Sequence, residues 1–91
     1  MSLICLPKEI QIEDIEVLNR QFSKLMVDSR RIRIDATACS FINSIGVAML
    51  LSWRRKSRRK HIALVFDMSD YLYDYIDYLN IVPVLGIKKR K

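Results

Sequence analysis

The chain is poor in the residues that break, bridge or catalyse. Two glycines and two prolines among 91 residues leave no room for a flexible linker, long loops or a low-complexity segment. A glycine-rich phosphate loop is excluded with them. One histidine and two cysteines, with no CxxC spacing, give no metal-ligand pattern and no thiol–imidazole pair. No Ser–His–Asp set stands out either. An enzyme, a bound metal and a cofactor are therefore not expected. Cys5 and Cys39 lie in apolar surroundings and read as buried free thiols in a reducing cytoplasm. No apolar run approaches the ~18–20 residues that span a bilayer. The longest, residues 45–51, reads as a buried element. The opening MSLICLPKEI has neither a basic n-region nor a cleavage-site pattern, so no secretory signal is read there and a cytoplasmic location is expected.

What is present is a composition that can fold. Half the residues (51%) are apolar and 29% are charged, which points to one globular domain and not to a disordered tail. We expect that domain over residues 1–87, with 88–91 as a basic tail. SLICL reads as a strand stopped by Pro7, and EIQI as a second, very short one. From Ile12 the period changes: Ile12, Ile15, Leu18, Phe22, Leu25 and Met26 share one helical face, and the helix ends near Val27 or Asp28. RRIRIDA alternates, with Ile32 and Ile34 facing inward, so that strand has one buried face. A second helix follows from SIGVAMLLSW, with Ile45, Ala48, Met49, Leu51 and Trp53 as its inward residues. HIALVF reads as a central strand. SDYLYDYIDYLNI reads as a short helix capped by Ser69, with Leu72, Ile76 and Leu79 in the core and Tyr75 beside them. VPVLGI reads as a last edge strand, where Pro83 is tolerated. The fold class is α/β: a small mixed β-sheet with helices packed mainly on one face.

The net charge of +6 is unevenly placed. Residues 1–53 carry six Lys/Arg and six Asp/Glu, whereas residues 54–91 carry ten and four. The excess lies in the C-terminal KKRK and in a patch formed by Arg54, Arg55, Lys56, Arg58, Arg59 and Lys60. Cations at a helix C-terminus face exposed carbonyls, so part of this patch is ordinary helix chemistry. Beyond that it suits an acidic protein face or the cytoplasmic membrane surface. Nucleic acid is a weaker fit, because aromatic residues do not interleave with the cations. Four tyrosines, Tyr71, Tyr73, Tyr75 and Tyr78, are too many for one buried face, so some are exposed. Asp35 and Asp67 both follow strands and read as loop or cap residues that meet at one sheet end.

The segment SFINSIG raises the functional question. Two small polar residues, Asn43 and Ser44, interrupt an apolar stretch where a loop hands over to a helix. Either can cap the unpartnered N–H groups of a first turn, and Gly46 allows close packing there. The same position exposes a hydroxyl that can be phosphorylated where a helix end tolerates added negative charge.

RIRIDATACSFINSIGVAMLL, followed by HIALVF and SDYLYDYIDYLNI, resembles the central part of STAS domains, the family of bacterial anti-sigma factor antagonists and related modules. ICLPKEIQIEDIEVLNRQF is similar to the opening of compact members, so the resemblance spans nearly the whole chain. By that resemblance Ser44 matches the serine or threonine phosphorylated in switchable members. Asn43 stands where an Asp is usual, and Ile45 where a second Ser is frequent. The resemblance implies a signalling protein that regulates transcription by binding an anti-sigma factor with serine-kinase activity. The implied partner surface comprises Thr37, Cys39, Ser40, Phe41, Asn43, Ser44, Ile45, Gly46 and Val47. Compact STAS subunits of lipid-transport ABC systems are also similar, which implies an ABC-transporter ATPase as the alternative partner and a position beside the membrane. A nucleic-acid binder using the basic patch is the third reading.

Overall fold

A computed structural model describes residues 2–87, so the KKRK tail lies outside the described residues. Three strands form one sheet in the order β1-β2-β3: β1 (Ser2–Cys5), β2 (Arg31–Ala36) and β3 (Ala63–Met68). Both pairings are parallel. Helix α1 (Ile12–Asp28) connects β1 to β2, and α2 (Ser44–Arg59) connects β2 to β3. Both helices therefore run back against the strand direction. Helices α3 (Asp70–Tyr78) and α4 (Val82–Leu85) follow β3.

Strand alternation decides which side is covered. Ile4, Ile32, Ile34, Ala36 and Leu64 are buried beneath α1 and α2, which pack side by side. The other face carries Leu3, Cys5, Arg31, Ala63 and Val65, all exposed. Parallel sheets are usually covered on both faces. Here the uncovered face is made polar by Arg31, Arg33, Asp35 and Asp67, and Arg33 Nη1 donates to Asp67 Oδ2 at 2.9 Å. In the core, Phe22 of α1 stacks on Trp53 of α2 with ring centroids 4.7 Å apart. The indole N–H donates to Asn19 Oδ1 at 2.8 Å, so a fully buried tryptophan keeps its polar atom paired.

Several expectations are corrected. The sheet is parallel throughout, not mixed, because VPVLGI forms helix α4. Pro83 sits in its first turn, where a missing N–H costs nothing, and Gly86 closes it at φ +70°. Without a fourth strand, β3 is an edge and β2 is central. EIQI contributes only an isolated bridge, Glu9 to Phe41. Ile12 is exposed at the start of α1. On α2 the inward face is Val47, Met49, Leu50, Trp53 and Ser57, so Ile45 and Ala48 face outward and Leu51 is half-buried. On α3 it is Tyr73 that is buried, while Tyr75 is half-buried and Leu79 exposed. Cys39 is buried as expected; Cys5 is exposed, because its chain neighbours Ile4 and Leu6 take the inward positions.

Candidate functional site

The segment from β2 to α2 is held on both sides. Asp35 Oδ1 accepts from the Thr37 amide at 3.0 Å and from its hydroxyl at 2.6 Å, which turns the chain after the strand. Those two bonds hold the Asp35 carboxyl below its usual pKa. On one flank, the Ser40 and Phe41 amides donate to the Lys8 carbonyl at 2.7 and 3.2 Å, and the Ile10 amide donates to the Phe41 carbonyl at 3.1 Å. On the other, Ser69 works twice. Its hydroxyl donates to the Cys39 carbonyl at 2.6 Å and accepts from the Leu72 amide at 3.1 Å, tying the loop to the start of α3. Its role as cap is readable from the sequence; its bond to the loop depends on tertiary placement and is not.

Asn43 is the cap of α2. Its Oδ1 accepts from the Gly46 amide at 2.9 Å. Ser44 is the first helical residue and is exposed, so its hydroxyl is not used as the cap. Gly46 is required by packing: a Cβ there would stand 2.6 Å from Ile42 Cγ1.

The nine residues assigned to a partner surface separate into two groups. Thr37, Ser40, Phe41, Ser44 and Ile45 are exposed, and Asn43 is partly so. Phe41 and Ile45 retain 50% and 45% of their surface, which places two large apolar side chains on either side of Ser44 in the chain. Cys39, Gly46 and Val47 are buried and offer no side chain to a partner. Burial pushes the Cys39 thiol pKa up. Asp35 and Asp67 are paired in register at this end of the sheet, where each has its own partner, Thr37 and Arg33.

The basic patch also separates. Arg54 belongs to the fold: its Nε donates to the Leu85 carbonyl at 2.6 Å and Nη2 to the Leu64 carbonyl at 3.0 Å. The guanidinium lies over Phe66, 5.4 Å from the ring centre. Burial first, and then the charge of Arg58, pull its pKa down from the usual high value. Arg55, Lys56, Arg58, Arg59 and Lys60 are exposed. Of the tyrosines, Tyr71 and Tyr78 are exposed, and Tyr71 stacks on Tyr75.

Among the described residues, no group of three or more His, Cys, Asp and Glu is placed to hold a metal, and no helix is long and apolar enough to cross a membrane. Compared with known proteins, the chain matches no family model and no curated sequence.

Proposed function

We propose that this chain is a STAS-like regulatory module that acts by binding another protein in the cytoplasm, with Ser44 as its switch. The observation that carries the reading is the placement of Ser44: an exposed hydroxyl on the first turn of α2, beside exposed Phe41 and Ile45 and next to a cap that Asn43 already supplies. Because the fold does not use this hydroxyl as its cap, modifying it leaves the helix start intact. A phosphate would add about −1.5 to −2 charges at a helix N-terminus, where the backbone tolerates an anion. It would also add that charge to a segment whose exposed Phe41 and Ile45 a partner would grip, and desolvating it there opposes binding.

The proposed cycle is competitive. The unmodified module captures an anti-sigma factor with serine-kinase activity, and phosphate on Ser44 releases it. The kinase supplies the ATP chemistry, so the module itself performs no catalysis. The test is capture by immobilised wild type, Ser44→Ala and Ser44→Asp, followed by mapping of the phosphorylated residue. Ser44→Ala is expected to keep the partner and Ser44→Asp to lose it. Equal capture by all three removes the switch.

A further inference from the structure

The topology sorts charge between the two ends of the sheet. Helices α1 and α2 end where β2 and β3 begin, and the Ala63 amide donates to the Arg30 carbonyl at 2.9 Å between the two junctions. Residues 24–31 and 55–63, which meet at this end, carry eight Lys/Arg and one acid, Asp28. All eight cations are exposed, and among the described residues neither ion pair, Arg20–Glu16 or Arg33–Asp67, involves them. Residues 8–16, 35–46 and 67–70, which meet at the opposite end with Ser44, carry seven acids and one Lys.

We infer that the cationic end docks on an anionic lipid surface and holds the Ser44 end away from it. The charge complementarity is that of one polyanionic plane with one pole of the domain, and the acidic pole is repelled from the same plane. The apolar residues beside the cations favour lipid over nucleic acid. Val27 is 76% exposed and, with Met26 and Ser23, forms a shallow groove rimmed by Lys56, Arg59 and Lys60. Aliphatic side chains amid cations suit the boundary between headgroups and acyl chains. Nucleic acid would call for exposed rings that bases can stack on. Phe22 and Trp53, which pack between α1 and α2, are buried, Phe66 lies under Arg54, and the ring that residues 24–31 and 55–63 expose is the single imidazole of His61. This inference does not depend on Ser44 being modified.

The test uses the full chain with vesicles of phosphatidylcholine containing about 30% phosphatidylserine, and with phosphatidylcholine alone, in a co-sedimentation assay. Binding is expected only to the anionic vesicles and is expected to fall as salt shortens the screening length. Lys56→Gln/Arg59→Gln/Lys60→Gln is expected to bind on the order of 100-fold more weakly, with unchanged circular dichroism. Should that variant fail to fold, the lipid and salt dependence of the wild type carries the test alone. In a Cys5→Ser background, an environment-sensitive dye at Val27→Cys is expected to shift to the blue on vesicles, and one at Ser44→Cys is not. No binding to anionic vesicles, equal binding to neutral ones, or unchanged affinity in a folded triple variant overturns the inference. So does an equal dye response at both positions. Displacement of the vesicles by an oligonucleotide of about 20 bases at the same ionic strength overturns it in favour of nucleic acid.

Discussion

Arg54 and Leu85 are joined across the outer edge of the sheet: the guanidinium Nε donates to the Leu85 carbonyl at 2.6 Å while Nη2 reaches Leu64 of β3 at 3.0 Å. An edge strand presents unpaired backbone carbonyls, and a buried helix end presents others. One planar, forked cation satisfies one of each. A run of six cations thus contains a structural bolt at its first position and exposed charge after it. Gly86 completes the arrangement, because a Cβ there would stand 3.0 Å from the guanidinium.

Arg54→Ala is expected to lower stability by roughly 2–3 kcal/mol in urea unfolding, since it leaves two carbonyls without their charged donor. Arg54→Lys is expected to recover less than half of that loss, because a single ammonium cannot reproduce the fork. A variant of Arg55, one position away and exposed, is expected to change stability by no more than about 0.5 kcal/mol. Equal effects at 54 and 55 would refute the structural role.

Asn43→Ala removes the acceptor for the Gly46 amide, and its expected cost is about 1 kcal/mol. Asn43→Asp keeps the acceptor and adds a negative charge at a helix N-terminus, so it is expected to equal or slightly exceed the wild type in stability. Thermal unfolding at low and high salt checks both. The Asp variant's advantage is expected to shrink as salt screens the charge.

The alternation of the three strands with helices was legible because polar residues punctuate it. In β2, Arg31, Ile32, Arg33 and Ile34 mark which side is covered. In α2 the run from 45 to 51 contains no polar residue, so spacing alone could not choose its inward face. The helix start at Ser44 and the burial of Trp53 and Ser57 chose it, turning Ile45 and Ala48 outward. Arg54 was hidden in its run for a related reason. Its signal was position: it follows the buried Trp53 and stands four residues after the buried Leu50, at the margin of the inward stripe. VPVLGI failed as a strand because Pro and Gly three residues apart mark the start and end of a short helix as well as an edge strand. At the candidate site, the polar break at Asn43 and Ser44 was legible, but the division of labour between them required the backbone.

The two thiols are expected to separate cleanly. Cys5 is exposed on the uncovered sheet face, while Cys39 is 1% exposed and its pKa is raised by burial. The nucleophile is the thiolate, so both accessibility and ionisation disfavour Cys39. Titration with a thiol reagent at pH 8 is expected to consume one equivalent quickly. The second is expected to react only with the rate of unfolding, or at once in denaturant. Mass mapping that finds Cys39 labelled first would contradict the packing of the β2–α2 loop.

Asp35 links the loop to acid stability. The hydrogen bonds from Thr37 lower its pKa in the folded chain below its unfolded value near 3.9. The sign follows from linkage: ionised Asp35 stabilises the fold above the unfolded pKa, and that contribution is lost as pH falls through the lower folded value. Asp35→Asn is therefore expected to unfold at lower urea concentration than the wild type at pH 7, and the two curves are expected to converge as pH falls through the lowered folded pKa. Thr37→Val removes the hydroxyl donor but keeps the amide, so it is expected to raise the Asp35 pKa partway toward 3.9, read by the carboxyl carbon shift in a pH titration. Curves that stay equally far apart at every pH would show that the Asp35 carboxylate is not what holds this turn.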